Sequence, residues 1–156
     1  MKFESYNETR KMCMLVGMGQ ELNGDDAVGC VIADNFSERD WLSVNAGAAL
    51  ENFIGLIKRE RPSLLVLVDA AEMGLSPGEI RRIDKAKANS LFYSTHSLPV
   101  SQTVSQIEPY VEEIVIVGIQ PNNGWHLNKL SPQATDAARR LICLLKEGRL
   151  KEIELL

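Results

Sequence analysis

Two adjacent carboxylates, Asp25 and Asp26, close the stretch Gly17-Met18-Gly19-Gln20-Glu21-Leu22-Asn23-Gly24, and a third, Asp69, ends the apolar run Leu64-Leu65-Val66-Leu67-Val68. His96, one of two histidines in the chain, lies in Ser94-Thr95-His96-Ser97-Leu98-Pro99. Asp26, Asp69 and His96 would bring two carboxylates and an imidazole from three separate loops. Such a donor set suits an open metal site whose remaining positions await water or a substrate. An ionised aspartate of the same group is also able to act as a general base.

Each of these residues has a plainer reading as well. Aspartate is a preferred helix N-cap, and that role is the one adopted for Asp25. Asp26, one residue on, either reaches the crevice or adds favourable charge to the first helical turn, and spacing alone does not separate the two. Asp69 is the better functional candidate because a carboxylate beside the core needs partners, although amides of its own loop would supply them. From pattern alone a lone histidine such as His96 is more often structural than a ligand. His126, within Asn122-Asn123-Gly124-Trp125-His126, reads as a surface-loop residue outside the site.

The elements that must position these side chains are legible as short apolar runs. Met12 to Val16, Leu64 to Val68 and Ile114 to Val117 are too short for typical helices and read as strands buried on both faces, the pattern of a parallel sheet covered by helices. Helical spacing occupies Asp26 to Phe36, Leu50 to Glu60, Pro99 to Tyr110 and Pro132 to Lys146. Strands alternating with helices predict a doubly wound α/β domain. Trp41 to Val44 is a weaker strand, and Gly78 to Ile83 reads as an edge strand entered through the Ser76-Pro77-Gly78 turn.

In open α/β sheets ligands bind beyond the carboxyl ends of the strands, which is where Asp26 and Asp69 fall. Pro99 in the first turn of the helix after His96 would turn the positive end of that helix toward the imidazole. That field disfavours imidazolium and leaves the neutral, metal-binding form.

The 156 residues suit one domain spanning 1–156, with a polar N-terminal segment 1–11 and a loose, charged tail 148–156. A net charge of −4 offers no basic field for nucleic acid. The N-terminus lacks the apolar core of a signal peptide, and no apolar run approaches the roughly 18 residues of a membrane span. Cys13, Cys30 and Cys143 stand apart among apolar neighbours and read as buried thiols in a reducing cytoplasm.

Competing motifs fail on particular residues. A dinucleotide fingerprint built on Gly17-Met18-Gly19 needs a small residue where Leu22 stands, and an acid where the second strand ends in Val44-Asn45-Ala46-Gly47. The glycines have another use, since Gly29 lets its helix pack closely on the sheet. An HExxH zinc motif does not occur.

Four segments in order carry a family likeness. They are Gly17-Met18-Gly19 leading to Gly24-Asp25-Asp26-Ala27-Val28-Gly29, then Val68 to Ile80, then Thr95-His96-Ser97-Leu98-Pro99, then Val117-Gly118-Ile119-Gln120-Pro121. In these the chain resembles the hydrogenase maturation endopeptidases, closest to the branch serving formate-hydrogenlyase-type hydrogenases.

The resemblance implies a three-layer α/β/α sandwich with a mostly parallel, twisted central sheet. It also implies an endopeptidase that removes the C-terminal extension of a nickel–iron hydrogenase large-subunit precursor after nickel insertion. On that reading Asp26, Asp69 and His96 are both the metal contacts and the catalytic group. The nickel is presented by the substrate, the partner is the large-subunit precursor, and the protein works as a cytoplasmic monomer. A nickel-checking chaperone that binds the same precursor without cutting it is the alternative. The chain departs from the family at Gln20, where asparagine is usual, and at Asn45, where many relatives carry aspartate.

Overall fold

A computed structural model describes residues 11–92 and 98–156. The apolar runs become β1 (Cys13–Met18), β3 (Leu64–Ala70) and β5 (Glu113–Ile119), joined by β2 (Trp41–Gly47) and β4 (Ile80–Arg82) in one five-stranded sheet. Its order is β2-β1-β3-β5-β4, with β4 antiparallel at the edge and every other pairing parallel. Among the described residues five α-helices cover it: α1 (Val28–Asn35), α2 (Ile54–Glu60), α3 (Lys85–Leu91), α4 (Val100–Ile107) and α5 (Pro132–Lys146).

The alternation of side chains along each strand explains the three layers. Leu15, Val66, Val68 and Val117 point to one face and pack with Val28 and Ile32 of α1 and with Ala134, Ala137 and Leu141 of α5. Met14, Val16, Leu65, Leu67 and Ile116 point to the other, where Ile57 of α2, Ala88 of α3 and Val104 and Ile107 of α4 meet them. Each fully buried aliphatic side chain of this kind is worth about 1.5–3 kcal/mol. The sheet is thus the expected α/β/α sandwich.

Some local expectations change. The helix expected from Asp26 begins instead as a 3-10 turn, Gly24–Ala27, and continues as α1; Leu50–Phe53 and α2 repeat the pattern. Gly24 enters that first turn at φ 57°, a left-handed conformation that glycine adopts without steric cost.

Helix α3 was not expected, because its seven residues carry too few apolar positions for a readable period. The tail expected to be loose is ordered along the sheet edge. Ile153 is buried there, Arg82 Nε donates to Ile153 O at 2.7 Å, and the Leu156 amide donates to Arg82 O at 2.9 Å. Of the cysteines only Cys30 is buried, Cys13 being half-buried and Cys143 exposed on the outer side of α5. Among the described residues no helix is long and apolar enough to cross a membrane.

Candidate functional site

The strand order reverses between β1 and β3. From β1 the chain moves outward to β2, then returns to the opposite side of β1 to lay down β3. A crevice opens at such a switch point because the loops leaving the two strands diverge. The loop after β1 carries Asp26, and Asp69 is the second-to-last residue of β3.

Close backbone approach brings the Asp26 turn down onto the sheet. A Cβ on Gly17 would lie 1.9 Å from Gly29 O, and one on Gly29 would lie 2.2 Å from Met18 O and 2.4 Å from Val68 O. Only hydrogen fits at either position. Gly19 is equally tight, since a Cβ there would fall 2.1 Å from Asp26 O. The Asp26 backbone is then held on both sides, its amide donating to Asn23 O at 3.2 Å and its carbonyl accepting from the Gln20 amide at 3.1 Å. Gln20 itself is exposed and contributes to the loop through its main chain.

The side chains of the two adjacent aspartates separate. Asp25 is buried, and instead of capping its own helix it reaches across to the loop before α5. Its Oδ1 accepts from the Ser131 amide at 2.8 Å, while Oδ2 accepts from Ser131 Oγ at 2.7 Å and from the Asn122 amide at 2.8 Å. Asp26 is half-buried and accepts from Asn23 Nδ2. Burial first, and then the charges of Asp69 and Asp25, push the Asp26 carboxyl above the ordinary carboxylate range; the Asn23 bond acts the other way. Asp69 is fully buried and its Oδ1 accepts from the Ala70 amide at 2.7 Å.

Asn45, at the end of β2, joins two further acids and makes no third carboxylate. Its Nδ2 lies 2.6 Å from Glu21 Oε1 and 3.2 Å from each oxygen of Asp34, and its Oδ1 accepts from the Gly47 amide at 3.0 Å. Among the described residues no group of three His, Cys, Asp or Glu side chains assembles to hold a metal ion. His96 lies outside the described residues. His126 is exposed in the loop between β5 and α5.

Cys30, on α1, is buried, and burial together with the negative charges of Glu21, Asp69 and Asp34 pushes its thiol up to about 11. It is therefore protonated at neutral pH and no nucleophile.

Comparison with known proteins identifies the family. The family described as hydrogenase maturation protease matches residues 28–147. The chain belongs to the hydrogenase maturation proteases. It is 35% identical over 113 residues to the hydrogenase 3 maturation protease of Escherichia coli K12, covering 70% of this chain and 72% of that one. A putative hydrogenase maturation protease of Methanocaldococcus jannaschii is 31% identical over 123 residues, covering 71% and 73%.

Solved structures of the family superpose on the whole sandwich. A crystal structure of a hydrogenase 3 maturation protease gives a TM-score of 0.81 at 29% identity, covering 93% of this chain and 96% of that one. The solution structure of the Escherichia coli endopeptidase HycI gives 0.77 at 31% identity, covering 87% and 90%. The chain is a hydrogenase maturation endopeptidase, and its reaction is peptide-bond hydrolysis.

Two residues that matter to the crevice were not singled out by sequence reasoning. Ser131 completes the Asp25 clamp and caps α5, its Oγ accepting from the Ala134 amide at 3.1 Å; a serine before Pro132 was a readable N-cap signal. Gln120, almost fully buried just past β5, had no comparable signal beyond its place in a family segment.

Proposed function

We propose that this protease removes the C-terminal extension of a nickel–iron hydrogenase large-subunit precursor, and that it admits the precursor only when nickel is already bound there. Asp26 and Asp69 act as oxygen donors and His96 as a nitrogen donor, completing the coordination of a nickel ion held by cysteines of the precursor. The nickel is thus part of the substrate. The observation that carries the reading is the pair Asp26 and Asp69 at the switch point, where burial and then the charge of Asp69 oppose ionisation of Asp26. An arriving cation relieves that opposition, so the site gains most when the metal is present.

Once seated, the nickel fixes the register of the precursor tail against the crevice. On this reading the same metal would polarise the scissile carbonyl, or an ionised Asp would take a proton from the attacking water. Either route gives an aspartate-dependent peptidase. The chain acts as one unit over 1–156, as a monomer in the cytoplasm, beside a partner much larger than itself.

Substituting Asp26→Asn and Asp69→Asn tests the assignment. Each should slow cleavage of nickel-loaded precursor by at least about 100-fold while the protein stays folded by circular dichroism. Cleavage at the wild-type rate by Asp69→Asn would remove the central residue of both routes.

A further inference from the structure

Gln120 is a polar side chain only 2% exposed, and all of its amide is in use. Oε1 accepts from the Met73 amide at 2.7 Å and from the Leu75 amide at 3.3 Å. Nε2 donates to both carboxylate oxygens of Glu72 at 3.1 Å and to Pro121 O at 3.4 Å. Two N–H donors at one end and a carboxylate at the other fix which end is oxygen. Asn123 Nδ2 adds a second amide to Glu72 at 2.9 Å.

The segment held in this way follows directly from Asp69. The Ala71 amide donates to Ile119 O at 2.9 Å, tying the segment to the end of β5, and the Glu72 amide donates to Leu91 O at 2.8 Å. Ala71 also bridges Phe92. Further out, the Gln120 backbone pairs with the approach to β4, accepting from the Gly78 amide at 2.8 Å and donating to Glu79 O at 2.9 Å. One side chain therefore joins the carboxyl end of β5 to the loop that leaves β3 shortly after Asp69.

We propose that Gln120 is a positioning residue of the protease: it holds the Glu72–Leu75 loop, and through it the carboxyl end of β3, in the geometry that cleavage requires. The inference rests on the reading of Asp69 as a site residue. Only a side chain with two acceptor directions and two donors at this length meets the loop amides and the Glu72 carboxylate together. Glutamate keeps the acceptors and sets a second carboxylate against Glu72. Methionine keeps the volume and removes every side-chain hydrogen bond.

The test uses the full chain with a nickel-loaded large-subunit precursor. Gln120→Glu should lower kcat about 100-fold, the cost of displacing a reacting group by about 1 Å, with KM changed less than about threefold. The reciprocal pair Glu72→Gln with Gln120→Glu restores an amide facing a carboxylate and should return kcat to within about fivefold of wild type. Wild-type kcat in Gln120→Glu overturns the proposal, as does a folded double variant that gains nothing over the single one.

Amide hydrogen exchange gives a readout independent of cleavage. Gln120→Met should lose at least about tenfold in protection at Met73 and Leu75 while Leu67 in β3 stays protected. Unchanged protection at Met73 overturns the proposal. Should wild-type protein leave the loaded precursor intact while the exchange pattern appears as expected, the functional reading falls and the structural part of the inference stands.

Discussion

Asp25 Oδ2 accepts a 2.7 Å hydrogen bond from Ser131 Oγ across 106 residues of chain, and this contact ties the turn after β1 to the start of α5. The carboxylate next to it, Asp26, is half-buried and accepts from Asn23 instead. Two neighbouring aspartates thus divide, one satisfied by three donors inside the fold and the other half-buried beside Asn23, where the proposed function assigns it to the substrate.

Removing the buried member should damage the fold itself. Asp25→Asn replaces an acceptor of three hydrogen bonds by a group that sets an NH2 against N–H donors, at a cost of about 2–4 kcal/mol. Ser131→Ala loses one of those bonds and the α5 cap together, about 2 kcal/mol. Urea unfolding of the two variants measures both losses. A stability change below about 0.5 kcal/mol for Asp25→Asn would mean that the clamp contributes little.

The crevice member should behave in the opposite sense. The folded-state pKa of Asp26 is raised, so the folded protein binds a proton more readily than the unfolded chain does. Its ionised carboxylate then disfavours folding above the raised value, and this penalty disappears as the pH falls to the unfolded value near 4. Asp26→Asn should therefore raise the melting temperature at pH 7, with the gain shrinking toward pH 4, while abolishing cleavage. Paired thermal scans at the two pH values check it; a lower melting temperature at pH 7 contradicts the assignment of strain to Asp26.

Gly29→Ala should be among the most damaging substitutions to an alanine in the chain. The added methyl would have to sit 2.2 Å from Met18 O and 2.4 Å from Val68 O, with backbone on both sides and no flexible side chain to move aside. Overpacking of this kind costs about 3 kcal/mol and lifts the Asp26 turn off the sheet. Loss of both stability and cleavage is the expected result, read by thermal melting and a precursor assay.

Asn45→Asp puts a third carboxylate beside Glu21 and Asp34 in place of the amide that joins them. Stability should fall at pH 7 and recover toward pH 4, where carboxylates begin to take up protons. Cleavage should not increase, because the amide serves the loop after β1 and is no member of the proposed metal set. An Asn45→Asp variant that cleaves faster than wild type would return a third acid to the site.

The strands β1 and β3 were readable because both are buried on both faces, which leaves a near-continuous apolar run such as Leu64 to Val68 that ends on Asp69. The place of Asp69 at a strand end followed from that run alone. Asp25 and Asp26 were not separable by spacing, since what distinguishes them is the partner Ser131, far along the chain. Gln120 was silent for the same reason, its bonds to Met73 and Leu75 existing only once β3 and β5 lie side by side. The tail read as loose because charged residues such as Arg149, Lys151, Glu152 and Glu154 are spread through it. Ile153 and the backbone of Arg82 order it through edge pairing, which local composition does not encode.

The most direct test of the nickel-gated reading is mass spectrometry of the large-subunit precursor C-terminus after incubation with this protein, with and without nickel loaded. Loss of a single C-terminal peptide from the nickel-loaded precursor, and an intact mass for the nickel-free one, is the predicted result. Equal cleavage of both forms would contradict recognition through nickel, and stable binding of the loaded precursor with no cleavage would contradict the proposed processing reaction.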